Sequence, residues 1–140
     1  MTAPKRLFTV DEANALLPRL ERDLTQLQAL YRTAKEKYVE LKQLKAVGTR
    51  PDGRLIMAHD FAQARRDFDR LVRQINRAID RIHRLGVQVK HIELGLVDFP
   101  ARVAGREVLL CWRMGEPAVT HYHGADEGYR GRKPLPEGGG

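Results

Sequence analysis

The chain has 140 residues, which fits one domain, and its 42 % hydrophobic and 31 % charged residues exclude a disordered chain and suit long exposed helices. A single cysteine rules out an internal disulfide, no apolar run approaches the roughly 20 residues of a membrane span, and the start MTAPKRLFTVDEAN lacks an apolar signal core. A cytoplasmic protein without membrane contact is expected, and its formal charge of +7 lies in residues 1–86, since residues 87–140 hold seven Lys/Arg and seven Asp/Glu.

The first helix is announced by Thr9-Val10-Asp11-Glu12, a capping box in which the Thr9 hydroxyl accepts from the Glu12 N–H and Glu12 reaches back. Phe8 precedes the cap and can staple onto Ala13. Leu17, Leu20, Leu24, Leu27, Tyr31, Ala34, Tyr38 and Leu41 then recur at alternating spacings of three and four, the seam of a helix packed on a partner. Pro18 cannot donate to the carbonyl of Asn14. The expectation is therefore a short capping helix over 10–17, a bend, and a long helix from Arg19 to Ala46. A turn rich in Gly, Pro and Asp follows within 47–56.

The second helix is expected from Asp60, with Gly86 as its C′ residue and a seam of Phe61, Ala64, Phe68, Leu71, Ile75, Ala78, Ile82 and Leu85. Matching seams and a short turn predict an antiparallel helical hairpin over 19–86 of coiled-coil type. After Gly86 the period changes to that of strands. Leu96–Val103, Arg106–Arg113 and Ala118–His123 are separated by turn signals at Ala104-Gly105 and Met114–Pro117. The fold class is thus α+β in a single domain over 1–140. A three-stranded antiparallel meander (lobe 87–135) packs at the hairpin base, and a disordered tail covers 136–140.

FTVDEANALLPRL together with GLVDFPA, GREVLLCW, GEP and the closing EGYRGRKPL resembles the bacterial family catalogued as domain of unknown function 2203, over nearly the whole chain. The resemblance implies the architecture above and no activity, cofactor or partner. It directs attention to the C-terminal part, where a histidine at position 123 belongs to the resembled pattern and His121 does not.

Chemistry-bearing residues gather there. His121 and His123 are two apart on a strand and share a face, Asp126 and Glu127 follow, and Cys111 lies on the neighbouring strand. Imidazole, carboxylate and thiolate suit Zn²⁺ or another divalent transition metal. If Cys111 aligns opposite His121, all three share one face, whereas a slip of one residue turns the sulfur away. No C-x-x-C or H-E-x-x-H pattern is present, so no cofactor is firmly implied. The competing reading is two half-exposed strand histidines beside a buried core cysteine. Catalysis would need Cys111 as nucleophile with these groups as acid and base, but a thiol within VLLCW reads as inert core beside Trp112, and the balance leans away from an enzyme.

Asp98, with Arg106 and Arg113 on the next strand, could form bidentate pairs that hold the lobe together, with Pro100 at an edge or bulge. Arg130, Arg132 and Lys133 are either structural or an anion site. Arg66, Arg70, Arg73, Arg77, Arg81 and Arg84 form a stripe beside the second seam, able to follow a phosphate polymer or to pair with Glu36 and Glu40 of the first helix. The leading expectation is an interaction module that self-associates or binds a protein partner through the hairpin, whose flanks are Leu30, Leu44, Val72 and Ile79. Metal binding in the β lobe and sequence-independent binding of nucleic acid are the alternatives.

Overall fold

A computed structural model describes residues 6–47 and 58–136. Helix α1 spans Val10–Val47 and helix α2 spans Ala58–Arg84. Five strands follow: β1 Gln88–His91, β2 Leu96–Val103, β3 Arg106–Arg113, β4 His121–His123 and β5 Lys133–Pro134. They form one antiparallel sheet in sequential order.

The cap forms as the sequence dictates. The Thr9 N–H donates to Glu12 Oε1 at 2.8 Å and the Glu12 N–H donates to Thr9 Oγ1 at 3.1 Å. These bonds from Thr9 favour the charged carboxylate and hold the Glu12 pKa below its ordinary value. Phe8 is buried with Ala13, and its ring meets Phe99 edge-on at 5.3 Å, so the cap is also fastened to the sheet.

Helix α1 is continuous through Pro18, where a break after residue 17 was expected. Pro18 is exposed, so its ring projects to solvent, while Leu17 and Leu20 on either side are buried. The lost hydrogen bond and the ring's clash with the Asn14 carbonyl cost about 3 kcal/mol, which that flanking burial offsets. The two helices pack on one another along the expected seams: Leu20, Leu24, Leu27 and Ala34 of α1 are buried with Ala64, Ile75, Ala78 and Ile82 of α2. Helix α2 ends at a left-handed Gly86 (φ +93°), the expected C′ residue. The expected turn over 47–56 falls almost wholly, and the tail beyond Pro136 entirely, outside the described residues.

The sheet has five strands rather than three. β2 and β3 keep their expected bounds, but β1 and β5 escape a reading by pattern. Gln88-Val89-Lys90-His91 shows little strand preference and Lys133-Pro134 is two residues long, so pairing with neighbours creates both. β4 begins at His121 rather than at residue 118. The Val119 N–H donates to Asn14 Oδ1 of α1 at 2.7 Å, which turns the approach to β4 toward the helix instead of toward β3. Pro100 lies past the end of β1, which pairs only with Leu96–Asp98. Its carbonyl accepts from the Phe8 N–H at 2.7 Å and Phe8 bridges Ala101 in parallel, so the side of Pro100 that lacks a donor faces this single-residue bridge rather than a full strand.

Alternation divides the sheet into two faces. Val97, Phe99, Ala101 and Val103 of β2, with Leu110 and Trp112 of β3, join the helices in one apolar core. The other face carries Leu96 and Asp98 of β2, Leu109 and Cys111 of β3, and both histidines of β4. Among the described residues no helix is long and apolar enough to cross a membrane.

Candidate functional site

Three strands bring three potential ligands together on the face away from the helices. Asp98 stands directly opposite Cys111, and Cys111 opposite His121, which places His123 two residues along on the same side. Asp98, Cys111 and His123 are buried, with exposures of 2 %, 0 % and 4 %. One ligand atom from each lies within 4.8 Å of the others. Segment 124–131 packs beside them and borders a half-open cavity of about 210 Å³ lined also by Lys90, Leu96, Leu109, Ala125, Glu127, Gly128 and Tyr129.

The proton inventory follows from the contacts. His123 Nδ1 is 2.8 Å from the Gly124 carbonyl, which can only accept, so Nδ1 carries a proton. Nε2 is thereby aimed at Asp98 Oδ1, 3.1 Å away, with one further proton between them. The Cys111 thiol sits beside the same carboxylate, and burial, then the negative charge of Asp98, push its pKa up to about 11. A nucleophilic cysteine needs the reverse: a histidine in contact and a lowered pKa. Here the order is thiol, carboxylate, imidazole and carbonyl, and the thiol stays protonated at neutral pH.

A divalent cation alters this balance, because it deprotonates a coordinating thiol. Tetrahedral coordination with bonds of about 2.0–2.1 Å to N and O implies an N···O edge of about 3.3 Å. The 3.1 Å between Nε2 and Oδ1 is close to that edge. The Nδ1–H bond to a backbone carbonyl is the outer contact that fixes the tautomer of a metal-binding histidine. Three protein ligands leave one tetrahedral position for a molecule in the cavity.

Of the residues named from sequence, Cys111 and His123 enter this set, and Asp98 joins them from a role given as structural. His121 is half-buried and its Nδ1 lies 2.8 Å from Thr120 Oγ1. Asp126 is exposed. Glu127 lines the cavity, but Oε1 accepts from the Gly124 N–H at 3.1 Å and from Lys133 Nζ at 3.1 Å. These bonds hold its pKa below the ordinary value and clasp the adjacent loop. A side chain on Gly131 would meet Glu127 Oε2 at 2.7 Å, so the Glu127 carboxylate would have to shift to admit one there.

The expected pairs between Asp98 and arginine do not form among the described residues. The register puts Cys111 opposite Asp98, and Arg106 and Arg113 lie exposed at the two ends of β3. Arg132 Nη2 donates to Glu116 Oε2 at 2.8 Å and its guanidinium sits over Tyr129, while Lys133 holds Glu127. Two of the three basic tail residues therefore brace the lobe, and Arg130 is exposed. Trp112 is core, 1 % exposed, and its indole N–H donates to the Glu116 carbonyl at 3.0 Å. Asp98 was findable from sequence, since a carboxylate inside the apolar run LVDFPARV has to be satisfied by something.

The family model described as "Uncharacterized conserved protein (DUF2203)" matches residues 6–135. No curated protein and no solved structure matches the chain.

Proposed function

The chain belongs to that uncharacterised family, and we propose that its β lobe binds a divalent transition metal, Zn²⁺ by preference, through Asp98, Cys111 and His123. The observation that carries the reading is the convergence of three buried ligand atoms of different chemistry, with the imidazole tautomer set by the Gly124 carbonyl. A mixed N, O and S set suits Zn²⁺ or Co²⁺ better than Mg²⁺ or Ca²⁺, which take oxygen alone. The test is Co²⁺ titration of the full chain in chelator-treated buffer. One equivalent should produce thiolate-to-cobalt charge-transfer absorption, displaced by Zn²⁺. Cys111→Ser should abolish the band, and His123→Ala should weaken binding at least tenfold. Absence of the band at micromolar protein overturns the reading.

A second reading, favoured by a separate observation, makes the hairpin an interaction arm. Tyr38 and Val39 of α1 are half exposed, at 50 % and 52 %, and the flanking Leu30, Leu44, Val72 and Ile79 are only partly buried. Self-association or a protein partner would cover them. Light scattering at micromolar concentration should give a mass above that of one chain, and a clean monomer removes self-association.

A further inference from the structure

The arginines of α2 divide into two groups that the spacing alone does not distinguish. Toward the hairpin tip each has a partner on its own helix: Arg65 with Asp69 at 3.3 Å, Arg66 with Gln63 at 2.9 Å and Arg70 with Asp67 at 3.0 Å. Toward the sheet, Arg73, Arg77, Arg81 and Arg84 make no hydrogen bond or ion pair among the described residues. Asp80 lies three residues after Arg77 and four before Arg84, a spacing that allows pairing, yet it engages neither. At 100° per residue Asp80 points about 100° away from Arg81. Arg77, Arg81 and Arg84 line a groove of about 380 Å³ between the helices with Gln74 of α2 and Gln26 and Leu30 of α1. The expected pairing of the stripe with Glu36 and Glu40 does not occur among the described residues: Glu40 pairs with Lys37, and Glu36 lines a different groove.

We infer that this groove docks the phosphodiester backbone of a nucleic-acid duplex, without reading its bases. Arg73 to Arg84 extends about 16 Å along the helix, the length of four or five phosphates on one strand. Guanidinium forks and the amides of Gln26 and Gln74 are donors suited to phosphate oxygens. A single strand would need aromatic platforms for its bases. None lines this groove, and Tyr31 lines the other one with Glu36 and Glu93. An acidic peptide helix would need several apolar anchors, and the groove offers Leu30 alone.

The test uses the full chain and a fluorescent duplex of mixed sequence, with affinity measured as a function of salt. Three to four released counterions predict a slope of log K against log salt near −3, a loss of roughly 40- to 150-fold between about 50 and 200 mM salt. Changing Arg77, Arg81 and Arg84 together to Gln should remove most of the binding. Arg81→Gln alone should flatten the slope by about 0.9. Changing Arg65, Arg66 and Arg70 together to Gln should leave affinity within about twofold, and duplexes rich in A·T or G·C should bind alike. No binding at about 50 mM salt overturns the inference. Equal losses from the two triple variants overturn the groove as the site, and polyglutamate competing better than duplex overturns the phosphate assignment.

Discussion

The β2–β3 hairpin buries both of its faces, with different chemistry on each. Toward the helices it presents Phe99, Leu110 and Trp112, all at most 1 % exposed, in a core made of apolar side chains. Away from them it presents Asp98 and Cys111, equally buried, against His123 and an adjacent loop. Equal burial therefore does not mean equal purpose. The helix-facing side is stabilised by apolar area removed from water, roughly 25 cal/mol per Å². The outer side gains little from its polar groups, because each hydrogen bond replaces one to water, and breaking one such contact costs more than the contact contributes.

The largest expected effect falls on the helix-facing side. Phe99→Ala should cost about 3–5 kcal/mol, read by urea unfolding, because the ring meets Phe8 and a cavity would open between cap and sheet. A loss below about 1 kcal/mol would show that the apolar face is not a tightly packed core. The outer face should respond differently to single and combined changes. Asp98→Asn should cost about 1–3 kcal/mol, since His123 loses a charged acceptor. Replacing all three together, Asp98→Leu with Cys111→Val and His123→Leu, should leave metal-free stability unchanged or raised while abolishing Co²⁺ uptake. A large loss from the triple change would make the polar set part of the fold, and the contrast between faces would fail.

How much of this contrast was legible in sequence depends on the connections. Ala104-Gly105 is a two-residue turn, so Val103 pairs with Arg106, and counting back puts Asp98 opposite Cys111. The turn alone thus fixes that pairing, and it overrides the charge match of Asp98 to the arginines of the next strand. The connection from Arg113 to His121 is longer, contains Pro117 and donates the Val119 N–H to Asn14, so nothing local fixes the β3–β4 register. The alternation of β2 and β3 and the capping box were carried by residues adjacent in sequence and formed as expected. β1, β5 and the loop clasped by Glu127 depend on contacts made only after folding. At Pro18 local sterics favour a break, and neighbouring burial overrides it.

A smaller effect separates the faces by pH. The Cys111 thiol is raised from 9.0 to about 11, so the folded state holds its proton where the unfolded chain releases it. The stability this contributes is fully present below about pH 9 and is lost as pH rises through about 11, amounting to roughly 2–3 kcal/mol. Cys111→Val should flatten the unfolding free energy across that window, whereas Phe99→Leu should lower it without changing its slope. Metal affinity should run the other way, rising by up to about a hundredfold per pH unit near neutrality, because the ion displaces both the thiol proton and the one held between Nε2 and Oδ1. An affinity independent of pH would mean that the sulfur is not a ligand.

The smallest effect lies in the turn both faces share. Ala104 has φ +52° and Gly105 φ +78°, so a residue with a Cβ occupies a left-handed position in the hairpin turn. Asparagine tolerates that region better than alanine, and Ala104→Asn should stabilise the protein by up to about 1 kcal/mol, a rise of roughly 2–5 °C in Tm. Ala104 is exposed, so no packing changes with it. The turn sets the register that opposes Asp98 to Cys111, and it does so before any ion binds. The gain should therefore be the same in chelator-treated and Zn²⁺-loaded protein. A gain confined to one of the two states would show that the strand pairing itself shifts when the outer face takes up metal.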